Sequence, residues 1–232
     1  MKDAVLLAGG LGTRLSSLSH GYPKALMEIS GRPFIQYVLD QVIEAGCERV
    51  IMAVSYKWDM IKNIFRNSYR GIKIDWSVEP TPLGTGGAIN LVFKTFALER
   101  AFVLNADTLF YADLCDVEHR HLTARSLLTV ALRKVDDVKR FGSVELDNSN
   151  RIIAFREKGG VGSGFVNGGI YIIEHSVFND NTIPLAFSFE QDILENKLKI
   201  FRPLGVLSNG YFIDIGTPED LARARKELIL QP

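Results

Sequence analysis

The chain has 232 residues, 47% of them hydrophobic and 23% charged, enough apolar material to close a sizeable core and too much for a disordered polypeptide. Its 27 Lys and Arg balance 27 Asp and Glu, so no overall field draws it to nucleic acid or an anionic membrane, and any phosphate-binding charge has to be local. The two cysteines, Cys47 and Cys115, are too few and too far apart for a disulfide framework or a zinc cluster, and they read as reduced thiols.

Met1-Lys2-Asp3 runs straight into Ala4–Ala8, so no signal peptide is expected, and this continuous apolar run bounded by Gly9-Gly10 predicts a strand buried on both faces. Pro33 is then expected to open a helix with Phe34, Ile35, Val38, Leu39, Val42 and Ile43 on one face and Gly46 just past its end. Arg49–Ser55 predicts a second strand, and Trp58, Ile61, Ile64 and Phe65 mark a second helix. Lys73–Val78 alternates as a strand, Gly87–Phe96 predicts a third helix, and Ala101–Asn105 another buried strand. Helices between strands at these spacings imply right-handed crossovers and a parallel sheet covered on both faces.

The second half changes character. Leu127–Arg133, Ser143–Asp147, Ile152–Glu157 and Phe165–Ile173 read as strands with turn signals between them, a partly antiparallel extension. Ser188 and Gln191 suggest a capping box for a helix through Leu194, and Thr217-Pro218-Glu219-Asp220 starts another helix. The fold class expected is α/β, a Rossmann-like mixed, mostly parallel central sheet flanked by helices, with a small antiparallel extension. No linker or repeat divides it, so a single domain over 1–232 is expected, with halves of about 1–112 and about 113–232. No apolar stretch reaches the roughly 20 residues that span a bilayer. The expectation is a cytoplasmic protein without nucleic-acid or membrane partners. Leu198, Ile200 and Phe201 form an apolar stretch that suits core or an interface in a homo-oligomer.

Leu7-Ala8-Gly9-Gly10-Leu11-Gly12-Thr13-Arg14-Leu15 follows the first strand directly. Its glycines let backbone N–H groups approach an anion, and Arg14 with Lys24 adds local cations for the same phosphates. The loop is neither the dinucleotide fingerprint, since Leu15 stands where the third glycine belongs, nor a Walker loop, which ends in Gly-Lys-Ser/Thr. Asp107 closes a buried strand where open α/β sheets bind ligands, and Asp214 lies in the apolar run Phe212–Ile215. Carboxylates so placed need a partner, and a divalent cation shared with phosphate oxygens supplies one. Gly84-Thr85-Gly86-Gly87 permits close backbone approach to a flat base, and Thr85 or Gly86 also reads as a helix N-cap. His20, His119, His121 and His175 are scattered and read as surface or structural residues.

LAGGLGTRL, then Pro23–Pro33 (PKALMEISGRP), Glu79–Ala88 (EPTPLGTGGA), Val103–Asp107 (VLNAD), Glu157-Lys158, Asn167–Tyr171 (NGGIY) and Phe212–Asp220 (FIDIGTPED) together resemble the sugar-1-phosphate nucleotidyltransferases, in order and over nearly the whole chain. The resemblance implies an enzyme joining a nucleoside triphosphate to a sugar 1-phosphate, with Mg²⁺ held by Asp107 and Asp214. It implies catalytic roles for Arg14, Lys24 and Asp107. Nucleotide contacts follow from Leu7, Ala8, Gly9, Gly10, Gly12, Thr13, Glu79, Gly84, Thr85 and Asp107. Sugar-phosphate contacts follow from Glu157, Lys158, Asn167 and Gly169.

The spelling PLGTGGA leans to GTP, and overall likeness leans to D-glycero-D-manno-heptose 1-phosphate as acceptor. Mannose 1-phosphate is the next acceptor, and cytidylyl or uridylyl transfer and a regulatory subunit that binds nucleotide sugar stay open. Two positions depart from the family pattern: Ala106 stands where glycine commonly precedes the metal-binding Asp, and Gly159 where proline is common. The glycines from 159 to 164 suggest a mobile lid.

Overall fold

The computed structural model describes residues 1–10, 21–140, 142–156, 160–180 and 182–228. Strands β1 (Asp3–Leu7), β4 (Arg49–Val54), β6 (Ile72–Val78) and β7 (Arg100–Asn105) form the parallel centre in the order β7-β1-β4-β6. Ala4 and Leu6 feed the core on one face while Val5 feeds the core on the other, which is why β1 reads as an unbroken apolar run. Helices α1 (Ile35–Glu44) and α2 (Trp58–Phe65) connect β1 to β4 and β4 to β6, and α3 (Gly84–Thr95) connects β6 to β7. Ile35, Leu39 and Val42 of α1 pack on one side, and Ile89, Val92 and Phe93 of α3 on the other. Burying each such side chain stabilises the fold by about 1.5–3 kcal/mol.

The chain thus winds outwards from β1 through β4 to β6, then returns to place β7 on β1's other edge. The carboxyl ends of β1 and β7 form the switch point at which open α/β sheets accept ligands. Antiparallel strands continue the sheet beyond β7. The long β12 (Gly164–Glu174) pairs through its second half with β7, and through Phe165 with β10 (Ser143–Leu146). Strand β9 (Leu128–Val135) pairs with β12, and β11 (Ile152–Arg156) with β10. The register of β12 against β9 breaks between Asn167 and Tyr171. Strand β13 (Leu204–Ser208) lies parallel to β9, and a separate ribbon pairs β8 (Thr108–Phe110) with β14 (Phe212–Asp214). The mixed, mostly parallel α/β architecture is the one expected.

Several local expectations change. Pro33 belongs to the two-residue strand β3 (Arg32–Pro33), paired with β2 (Glu28–Ile29), and the helix begins after Phe34. Helix α3 starts three residues earlier than expected, at Gly84, and its N-cap is Leu83 with no capping side chain. The amides of Gly86 and Gly87 donate instead to the Phe187 carbonyl at 3.0 and 3.4 Å, so a distant backbone oxygen does the capping. Ser188 does cap a helix by accepting from the Gln191 amide, but the reach-back to its own amide comes from Asp192, at 2.8 Å. That helix, Phe189–Glu195, has π geometry. Helix α4 (Leu114–Thr123), capped by Asp113, escaped the sequence reading because it buries only Leu114, Val117 and His121. A short α5 (Leu198–Phe201) follows, with Ile200 exposed and Phe201 packed against the core. The terminal helix α6 (Pro218–Glu227) starts on Thr217 as expected. Cys47 is buried, Cys115 is exposed, and both are free. Among the described residues, no helix is long and apolar enough to cross a membrane.

Candidate active site

A cleft of about 310 Å³ opens at the switch point. Its floor is the end of β1 and the turn after it, Leu7, Ala8, Gly9 and Gly10. One wall carries Ser55, Glu79, Pro82, Gly84 and Thr85, and the other carries Asn105, Ala106, Asp107 and Lys24. The backbone fixes this floor: the Ala8 amide donates to Ala53 and the Ala106 amide to Leu7, at 2.9 and 3.2 Å.

Lys24 sits in a single 3₁₀ turn behind Pro23 and is almost completely buried. Its Nζ donates to Asp107 Oδ2 at 2.6 Å and lies 3.7 Å from Asp214 Oδ1. The β8–β14 ribbon brings the two carboxylates together, because Asp214 pairs with Thr108 and the Ile215 amide donates to the Asp107 carbonyl at 3.1 Å. Burial pushes the Asp214 carboxyl above its usual range, with Asp107 adding to that and Lys24 opposing it.

Asp214 Oδ1 is buried and has no hydrogen-bond partner. Such an orphaned carboxylate oxygen beside a second carboxylate fits a hard divalent cation. Among the described residues no group of three or more His, Cys, Asp or Glu that could hold a metal ion occurs.

At the opposite end of the cleft, Glu79 Oε2 accepts from the Leu83 amide at 2.8 Å, and desolvation raises its pKa. A methyl group at Gly9 would stand 3.1 Å from both Glu79 Oε1 and Ser55 Oγ, so a bare backbone is needed for this close packing. Ser55 Oγ already donates to the Gly9 carbonyl at 2.7 Å. Gly84 has φ +71°, and a Cβ there would meet the Phe187 carbonyl oxygen at 2.5 Å. Thr85 lies inside α3 rather than capping it. Its hydroxyl donates to Glu190 Oε2 at 2.6 Å and accepts from the Phe189 amide at 2.9 Å.

Leu7, Ala8, Gly9, Gly10, Lys24, Glu79, Gly84, Thr85 and Asp107 therefore share one cleft, with Asp214 on its edge through Lys24. Asn167 and Gly169 lie beside it. Asn167 Oδ1 accepts from the Gly169 amide, its Nδ2 donates to the Tyr171 hydroxyl, both at 2.9 Å, and Gly169 packs near the Asn105 side chain. Gly12, Thr13, Arg14, Glu157, Lys158 and Gly159 fall outside the described residues. Of the rest of the suggested lid, Gly164 already belongs to β12, in register with Val135 of β9, and the Gly162 carbonyl accepts from the Val138 amide at 3.1 Å. Three polar cleft residues were not singled out from sequence: Ser55, just after β4, Asn105, at the end of β7, and Glu190, whose position carries no local signal.

A family model described as nucleotidyl transferase matches residues 3–230. A D-glycero-alpha-D-manno-heptose 1-phosphate guanylyltransferase from Aneurinibacillus thermoaerophilus is 41% identical over 226 residues, covering 97% of this chain and 98% of that one. Another of that name from Campylobacter jejuni is 41% identical over 218 residues, covering 94% and 96%. The crystal structure of HddC from Yersinia pseudotuberculosis complexed with GMP-PN superposes with a TM-score of 0.86 at 36% identity, covering 98% of this chain and 100% of that one.

Proposed function

The chain belongs to the nucleotidyl transferase family and is a nucleotidyltransferase, and from that premise we propose that it transfers GMP from GTP to D-glycero-D-manno-heptose 1-phosphate, releasing pyrophosphate. The observation that carries the proposal is Lys24 set between Asp107 and Asp214 at the switch point of the sheet. The likeness to guanylyltransferases of that heptose phosphate supports the choice of base and sugar. Within one unit, residues of about 1–112 hold the nucleotide and those of about 113–232 the sugar.

The base enters the Glu79 end. Guanine presents an N1–H and a 2-amino group side by side, and the carboxylate of Glu79, anchored through Oε2, offers Oε1 as their acceptor. Bare backbone at Gly9 and Gly84 lets Glu79, Ser55 and the Phe187 carbonyl pack closely around the space given to the base. The triphosphate runs towards Gly9, Gly10 and Lys24, with Arg14 and the residues around Thr13 assigned to the leaving pyrophosphate by the family likeness. Glu157, Lys158, Asn167 and Gly169 receive the sugar phosphate on the same grounds.

An oxygen of the sugar phosphate attacks the α-phosphorus in line, and the bond from that phosphorus to the β-bridging oxygen breaks. The new bond makes the nucleotide sugar, and the electron pair of the broken bond leaves on pyrophosphate. The dianionic phosphate is itself the nucleophile, so no general base is needed. Catalysis rests on positioning and on offsetting charge at the α-phosphorus, where Lys24 supplies a fixed ammonium. Mg²⁺ held by Asp107 and Asp214 would supply the remaining neutralisation of phosphate charge.

The test measures pyrophosphate release with Mg²⁺ while crossing GTP, CTP, UTP, ATP and dTTP with heptose and mannose 1-phosphates, with Asp107→Asn as the control. Release with GTP and the heptose phosphate, lost in the control, is the expected result. Preference for another nucleotide or sugar, or silence across all pairs, overturns the assignment.

A further inference from the structure

The carboxylate of Glu190 reaches the cleft from the far half of the chain. It lies at the start of the π-helical segment Phe189–Glu195, in which the Asn196 amide donates to the Gln191 carbonyl at 2.9 Å. Such turns are rare and concentrate at functional sites. The hydrogen bonds that hold the carboxylate both fall on Oε2, from Thr85 Oγ1 at 2.6 Å and Ser188 Oγ at 3.2 Å. The Thr85 hydroxyl is itself fixed, because it accepts from the Phe189 amide. One oxygen is therefore anchored, and the side chain is oriented from both halves of the protein.

No Lys, Arg or His pairs with Glu190 among the described residues, in contrast to Asp107 at the other end of the cleft. A carboxylate without a cation repels phosphate and suits a neutral donor. Next to it lies the fully buried Tyr171, whose ring packs on Phe189, whose hydroxyl accepts from Asn167, and whose phenol is pushed up by burial first and by the Glu190 charge second. Glu190 thus stands between the start of α3 and the Tyr171–Asn167 pair of β12, the segments to which the proposed function gives the nucleotide and the sugar.

We infer that Glu190 Oε1 is a charged acceptor for a hydroxyl of a bound substrate, either the ribose diol of the nucleotide or a ring hydroxyl of the sugar, and so a specificity-determining residue for the transfer. The inference rests on the nucleotidyl-transfer reading above. A site built to receive a hydroxyl rejects the analogue that lacks it, because its polar group is then buried unpaired.

The test compares wild type with Glu190→Gln, which keeps an oxygen for Thr85 and Ser188 and removes the charge. Both are assayed with GTP, 2′-deoxy-GTP and 3′-deoxy-GTP, and with intact and singly deoxygenated sugar 1-phosphates. The variant is expected to lose about tenfold or more in kcat/KM on intact substrates, the scale of one charge-assisted hydrogen bond. That loss should vanish with the one analogue lacking the contacted hydroxyl, which also tells ribose from sugar. An equal loss with every analogue, or no loss at all, overturns the inference while leaving the reaction standing.

If Glu190→Gln does not fold, Thr85→Val, which frees the carboxylate from its anchor, should weaken discrimination against the same analogue, and unchanged discrimination overturns the inference. A wild type inactive with every pair sinks the reaction itself. The same comparison is then read in calorimetric binding of GTP, its deoxy forms and the sugar phosphates, where indifference of Glu190→Gln to every missing hydroxyl overturns the contact.

Discussion

Lys24 Nζ donates to Asp107 Oδ2 at 2.6 Å across 83 positions of chain, with Asp214 Oδ1 3.7 Å from the same nitrogen. One ammonium, itself buried, thus separates two partly exposed carboxylates that would otherwise repel. Lys24→Ala should lower turnover by about 10²–10³, the range for removing one group that offsets transition-state charge. It should also tighten divalent-cation binding in the absence of nucleotide, because a competing positive charge has gone. Initial rates and calorimetric titration with Mn²⁺ check the two halves of this statement. Normal turnover, or weaker metal binding, contradicts it.

Gly84→Ala should destabilise the protein. Its positive φ alone sets a strain of roughly 1–3 kcal/mol, and the added methyl would press on the Phe187 carbonyl, a backbone atom that cannot swing away. Urea unfolding of the two proteins side by side measures it, and an unchanged midpoint contradicts it.

Asp220 is buried near the start of α6, held by Thr217 Oγ1 at 2.8 Å and by both terminal nitrogens of Arg140. Burial works against its charge, yet Arg140 and Thr217 hold its carboxyl below the usual range. Asp220→Asn keeps the volume and removes the charge-assisted bonds, so it should cost about 1.5–3 kcal/mol in denaturant unfolding at neutral pH. Because the folded-state pKa is depressed, this contribution is present above the unfolded value of 3.8 and is lost as pH falls through the folded value. The gap between wild type and variant should therefore close on acidification.

His121 gives a pH effect in a higher window. Burial disfavours its charged form and lowers its pKa below 6.5, although Glu174 faces one ring nitrogen at 3.1 Å; Thr129 faces the other at 2.8 Å. Below pH 6.5 the unfolded chain takes up a proton that the folded protein resists, so stability falls with pH in that range. Replacing His121 with Gln, which does not titrate, should flatten the stability difference between pH 7.5 and 5.5, a span chosen to bracket the imidazole. An equal slope in both proteins would remove His121 as its source.

What could be read from sequence follows from how local each cause is. Strand β1 was legible because burial on both faces leaves an unbroken apolar run, and α1 because its apolar spacing has a helix's period. Helix α4 was not, since three buried residues in ten give too thin a stripe. The family-like motifs marked Lys24, Asp107 and Asp214, but the ribbon joining Asp107 to Asp214 consists of two three-residue strands with no pairing signal of their own. Glu190 was invisible for a similar reason: its contact with Thr85 spans 105 positions, and a Glu beside a helix start reads as an ordinary first-turn acid.

The Phe187 carbonyl that receives the Gly86 and Gly87 amides has a consequence for how the substrate lies. The opening turn of a helix is a ready anion receptor, and a glycine-rich one invites comparison with a phosphate loop. Here those donors are already spent, and beside them stands the carboxylate of Glu190, which pairs with no cation among the described residues. The glycine-rich start of α3 is therefore closed to negative charge. In the orientation proposed above, this end of the cleft would receive the base and ribose and turn the phosphates away.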